Sequence, residues 1–146
     1  MELLAPAGDM QKLKMALAFG ADAVYFASKK FGLRTFAGNF EEPELKEAID
    51  LVHSKGKRAY VTVNVFPRDK DIPEIVAYCK RLYEMHADAI IVADLGVFGA
   101  VRREVPNLET HISTQANVVN SETANMYYKM GAKRIVLARE LSLEQI

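Results

Sequence analysis

A single cysteine, Cys79, stands in a chain of 146 residues, so no disulfide can form within it and a cytosolic setting is the expectation. Charge of one sign is not in excess. Lys+Arg and Asp+Glu count 19 each, which removes any argument from net charge for nucleic acid or a membrane surface but leaves room for a local RNA-binding patch. No apolar run approaches the ~20 residues that cross a bilayer. No basic segment precedes the opening Met1-Glu2-Leu3-Leu4-Ala5-Pro6, so neither a span nor a signal peptide is expected. Gly-rich phosphate loops are missing, as are Gly-x-Ser-x-Gly and His-Glu-x-x-His, which sets aside the common nucleotide-binding, serine-hydrolase and zinc-peptidase signatures. His53, His86 and His111 fall on different elements without ligand spacing, and no metal site is expected.

What is present is alternation. Half the residues are hydrophobic and 26% are charged, ordinary values for one globular domain over 1–146. Short apolar runs at about 2–5, 23–28, 58–65, 89–94, 109–114 and 134–139 read as strands, with helices at about 9–19, 43–55, 72–85, 95–104 and 121–130. Asp9 and Ser121 stand where N-caps are expected, and Pro43 and Pro73 fall in first turns. Gly20, Gly56 and Gly131 come just after helix ends, where a left-handed residue is needed. Leu45, Ala48, Ile49 and Val52 form a one-faced stripe, and Cys79 joins a similar stripe with Ile72, Ile75 and Leu82 that reads as core. A weak repeat marks each helix-to-strand turn: Gly20-Ala21-Asp22-Ala23-Val24-Tyr25, His86-Ala87-Asp88-Ala89-Ile90-Ile91, Gly131-Ala132-Lys133-Arg134-Ile135-Val136 and, more loosely, Gly56-Lys57-Arg58-Ala59-Tyr60-Val61.

Alternating strands and helices imply a parallel sheet, either open and doubly wound or closed as a barrel. An open sheet buries both strand faces under helices. Here Ala59, Val61, Val63 and Val65 share one face of the third strand, opposite Tyr60, Thr62 and Asn64, and Glu109, His111, Ser113, Gln115 and Asn117 share one phase of the fifth. A polar inner face favours a TIM-type (β/α) barrel, with about six of its eight βα units in this chain. Ser142-Leu143-Glu144-Gln145 reads as a capping box flanked by Leu141 and Ile146. The helix it announces has one turn before the last residue, so the expectation is the truncated N-terminal part of a barrel, with exposed edges that favour self-association.

A barrel gathers substrate groups at the C-terminal ends of its strands. The residues that fall there are Ser28, Asn64, Asp94, Gln115, Asn117, Arg139 and Glu140, with His111 one step deeper as either a hydrogen-bonded interior histidine or an acid–base group. Each alone could simply cap a loop. As a group on successive strands they suit a polar ligand bearing carbonyl or carboxylate groups, with Arg34 and Arg139 as anion partners.

Leu4-Ala5-Pro6-Ala7-Gly8, Ala37-Gly38-Asn39-Phe40, Tyr60-Val61-Thr62-Val63-Asn64, His111-Ile112-Ser113-Thr114-Gln115-Ala116-Asn117 and Leu137-Ala138-Arg139-Glu140-Leu141-Ser142 occur in this order, together with the first copy of the repeat. The set resembles the N-terminal region of the collagenase-like peptidases, peptidase family U, number thirty-two. The resemblance implies a barrel fold and a bacterial or archaeal enzyme. Its better-understood branches act in hydroxylation of tRNA, ribosomal RNA or a quinone precursor. It also implies an iron–sulfur cluster and, in the tRNA branch, prephenate as co-substrate. The family's cysteine-rich signature lies beyond the Arg-Glu-Leu-Ser segment, and Cys79 does not match it, so no cofactor is expected in this chain itself. The function implied is that of an RNA hydroxylation factor with RNA or a small carboxylate as partner and no membrane. A genuine peptidase and a non-catalytic, self-associating piece are the alternatives.

Overall fold

The computed structural model describes residues 1–29, 31–32 and 39–146. Six strands, β1 (Leu4–Pro6), β2 (Ala23–Ala27), β3 (Arg58–Val63), β4 (Ala89–Val92), β5 (Glu109–Ile112) and β6 (Arg134–Ile135), pair in parallel in the order of the sequence. Helices α1 (Met10–Ala18), α2 (Glu42–Ser54), α3 (Ile72–Glu84), α4 (Leu95–Glu104) and α5 (Ser121–Lys129) connect them, and the sheet curls into a half-barrel wall. Among the described residues no helix is long and apolar enough to cross a membrane.

Strand alternation divides the core in two. Val24, Phe26, Ala59, Val61, Val63, Ile90, Val92 and Ile112 face the helices and merge with Leu13 of α1, the Leu45, Ala48, Ile49 and Val52 stripe of α2, and Ile75, Cys79 and Leu82 of α3. Ala23, Tyr60, Ala89 and Ile91 form a separate cluster with Leu4 and Tyr25 on the other face, the barrel interior. Both faces of β3 are therefore buried, but only the inner one carries polar atoms.

The repeat has a mechanical basis. Asp22, before β2, accepts the Leu3 backbone N–H at 3.0 Å, and Asp88, before β4, accepts that of Ala59 at 2.7 Å. Each carboxylate ties the start of its own strand to the strand before it. Gly20, Gly56 and Gly131 have φ of 91°, 66° and 100°, and His86 takes the same role at 66°. The four copies thus share one backbone path, and one of them holds it with a side chain that ordinarily avoids that region.

Several boundaries differ from the sequence expectation. The first strand lies two residues later and takes in Pro6, tolerated because β1 is an edge strand. The N-cap of α5 is Asn120, whose side chain accepts the Thr123 N–H at 2.9 Å, and Ser121 is the first helical residue. After β5 the chain enters a 3-10 turn at Thr114–Ala116, so Gln115 and Asn117 leave the strand whose phase they shared. The β6 ladder is confined to two residues, although Val136 N–H still reaches the Ile112 carbonyl at 2.8 Å. Ser142 and Gln145 do form the capping box, and it opens a 3-10 turn, Leu143–Gln145.

Candidate functional site

Parallel strands in sequential order bring all six C-terminal strand ends to one rim, and a cavity of about 670 Å³ opens there. Its wall on the β3 and β5 side is polar: Thr62, Asn64, Ser113, Thr114 and Gln115. The rest of the lining is mostly apolar, from Leu4, Pro6 and Ala7 at β1 to Val136 and Leu137 just after β6. Tyr25, Ile91, Lys12, Asn39 and Arg139 are also among the lining residues.

The two amides meet. Asn64 Nδ2 donates to Gln115 Oε1 at 2.6 Å, a contact between residues 51 apart in sequence. Gln115 is held from below as well, because its backbone N–H donates to Ser113 Oγ at 3.3 Å. The 3-10 turn that removes Gln115 from the strand is what swings it over the cavity. Thr114 Oγ1 donates to the Leu137 carbonyl at 3.1 Å and fixes that turn to the segment leading to Arg139. Lys12 is engaged with Asp9 at 2.7 Å, whereas Arg139 makes no ion pair among the described residues.

The other sequence candidates lie elsewhere. Asp94 caps α4, accepting the Val97 N–H at 2.8 Å, and is not part of the cavity wall. Asn117 ends the 3-10 turn in a left-handed conformation, exposed and outside the wall. Glu140 is exposed just beyond Arg139, and Ser28 is buried where β2 meets Phe40. Arg34 lies outside the described residues.

His111 belongs to the opposite end of the barrel. Its ring is fully buried, edge-on to Tyr60 at 4.7 Å between centroids, with Nε2 at 2.8 Å from Glu109 Oε1. A carboxylate only accepts, so Nε2 carries the hydrogen and Nδ1, which has no partner among the described residues, is left as an acceptor. Burial holds the imidazole below its ordinary pKa and the Glu109 contact only partly opposes it. Next to it Glu2 accepts from the Tyr60 hydroxyl at 3.0 Å and from Arg134, whose guanidinium lies 5.4 Å from the Tyr60 ring centroid. The Arg134 hydrogen bond holds the Glu2 carboxyl below the usual range.

Sequence phase alone could have added Thr62 and Ser113, which alternate in step with Asn64 and His111. Lys12 carried no such signal. It reaches the cavity because α1 starts beside the end of β1.

The family profile described as peptidase family U32 matches residues 8–146. The chain belongs to peptidase family U32. Over 143 residues this U32 chain is 44% identical to tRNA hydroxylation protein P of Helicobacter pylori (strain J99), covering 97% of the chain and 34% of that protein. Over 146 residues it is 36% identical to a 23S rRNA 5-hydroxycytidine synthase of Escherichia coli K12, covering 100% of the chain and 22% of the relative. The chain thus spans about a third or less of the length of these relatives. The solved structure of a U32 peptidase superposes with a TM-score of 0.79 over 94% of this chain and 58% of the other, at 16% identity, a likeness of fold.

Proposed function

We propose that the protein acts in hydroxylation of tRNA or rRNA in the cytoplasm, with the cavity at the C-terminal strand ends as its substrate site. The supporting observation is a polar cavity, with paired amides and an Arg139 that has no ion-pair partner among the described residues, in a chain aligned almost end to end with relatives named for RNA hydroxylation. Arg139 suits an anion, either an RNA phosphate or a small carboxylate co-substrate of the prephenate kind.

An iron–sulfur cluster is the redox group this reading implies, and the residues present do not fit one. The only thiol, Cys79, is fully buried on the core face of α3, and burial pushes it up to about 12, far from the thiolate that binds iron. The same property makes Cys79 a poor nucleophile for peptide hydrolysis, and His111 is engaged with Glu109 away from the cavity. The test is nucleoside analysis of tRNA and rRNA from cells with and without the intact gene. Loss of a hydroxylated nucleoside is expected, and unchanged content in both RNA pools would overturn the reading.

Self-association is a second reading, favoured by apolar side chains at both edges of the wall. Leu3, Met15 and Phe19 flank β1, while Met126, Tyr128 and Leu143 flank β6, all exposed. Sedimentation of the purified chain is expected to show dimers or larger species, and a monomer at all concentrations would remove this reading.

A further inference from the structure

Resting on the RNA-hydroxylation reading, we propose that the exposed ring of Phe66 is a stacking platform for the base next to the nucleotide in the cavity, with Arg68 against the RNA backbone beside it. The exposed apolar side chains that flank β1 and β6 lie at the open edges of the wall. Phe66 does not: β3 has β2 and β4 on either side, yet the ring in the loop after it is 74% exposed. The backbone around it is anchored. Val65 packs against the helix-side core, Pro67 restricts the chain, and the Arg68 N–H donates to Asp71 Oδ2 at 2.8 Å. The ring is therefore presented to solvent from a fixed turn, which leaves little ordering to be done on binding.

Position and charge select the partner. Phe66 comes two residues after Asn64, which lines the cavity. Two residues of extended chain reach at most ~7 Å, about the advance from one nucleotide to the next. A base drawn into a pocket leaves its stack, and the neighbouring base loses a covered face. An aromatic ring replaces that face whatever the base, because every base has a π face. Arg68 and Lys70 are exposed in the same loop and make no ion pair among the described residues, so cations for phosphate stand beside the ring. The core of a protein contact is depleted of charge, whereas Phe66 is followed within four residues by Arg68, Asp69 and Lys70.

The chain has no tryptophan, so Phe66→Trp places a single fluorescent indole at the platform. The purified protein is titrated with single-stranded oligouridylate and with an abasic ribose-phosphate strand of equal length. Quenching of the indole is expected with oligouridylate and not with the abasic strand. Anisotropy of labelled oligouridylate is expected to show binding weaker by about tenfold or more in Phe66→Ala and Phe66→Leu, and undiminished in Phe66→Trp. The urea midpoint should stay unchanged in all three, since the ring is exposed. Arg68→Ala is expected to weaken both strands by the same factor. Full affinity in Phe66→Ala or Phe66→Leu, equal quenching by the two strands, or no binding of either would overturn the proposal. Full RNA affinity in Phe66→Ala together with altered sedimentation would overturn it in favour of a protein contact. Altered nucleosides in the RNA pools with an inert Phe66 would end this proposal alone. Unchanged pools with a stacking Phe66 would end only the hydroxylation reading.

Discussion

At the N-terminal end of the barrel interior, Arg134 bonds Glu2 and covers Tyr60; at the C-terminal end, Arg139 lines an open cavity and makes no ion pair among the described residues. The two ends draw on similar residue types. At the closed end, Glu2, Tyr60, Glu109, His111 and Arg134 bond one another, and His111 Nδ1 has no partner among the described residues. At the open end, Gln115 and Arg139 keep donors directed at the cavity rim. A polar barrel interior is therefore no guide to a site. What separates structure from site is whether the polar groups consume each other's hydrogen-bonding capacity.

The largest effect should come from the closed end. Tyr60 is fully buried, so Tyr60→Ala is expected to cost about 3–5 kcal/mol in urea unfolding, with the hydroxyl donor to Glu2 lost as well. A cost under about 1 kcal/mol would mean that the network is not a structural plug. Arg134→Met should come next. Removing one partner of a fully buried pair costs about 3–5 kcal/mol. With the Arg134 and Glu2 side chains 33% and 24% exposed, solvent screening brings the expectation to about 1–2 kcal/mol. An unchanged unfolding midpoint would place the pair among inert surface contacts.

Acid should weaken the closed end before the open one. His111 has its folded pKa depressed by burial, so on acidification the unfolded chain takes up this proton first. Its contribution is present above the unfolded value of about 6.5 and is lost as pH falls from there toward the folded pKa. The slope is at most about 1.4 kcal/mol per pH unit for one proton. Glu2, also depressed, adds a loss at lower pH, as the pH falls through its folded pKa. Glu109, Tyr60, Glu2 and Arg134 surround the imidazole. In His111→Gln the stability slope between pH 5 and 7 should flatten; an unaltered slope would assign it to other groups. The smallest effects belong to the open end. Arg139→Ala and Gln115→Ala are expected to change stability by less than about 0.5 kcal/mol, since both are exposed, while weakening ligand binding. Equal loss of stability and binding would make the rim structural as well.

The fold was legible where periodicity carries it. The α2 stripe is buried as its spacing implies, and the two faces of β3 divide as their alternation implies. The end of β5 was not, because a 3-10 turn breaks the period of two, so Gln115 reaches the cavity while Asn117 does not. Phase places His111 on the inner face without revealing its height, since height depends on the tilt of the strands. The repeat sets His86 at the position glycine fills in the other three copies, and its φ of 66° follows that alignment, but spacing cannot reveal that Asn120 takes the capping role next to an equally suitable Ser121.

The strand order has a consequence for the time course of assembly. Each strand pairs only with its predecessor, so every βα unit can dock as soon as it leaves the ribosome, with short loops to close. The Glu2–Arg134 contact spans the longest sequence separation among the side-chain bonds of the described residues, 132 residues, and it cannot form until the sixth strand has been made. A contact between residues so far apart in sequence is expected to form after the folding transition state. Its removal should therefore quicken unfolding and leave refolding nearly unchanged, making the Glu2–Arg134 pair a latch on the lifetime of the folded chain.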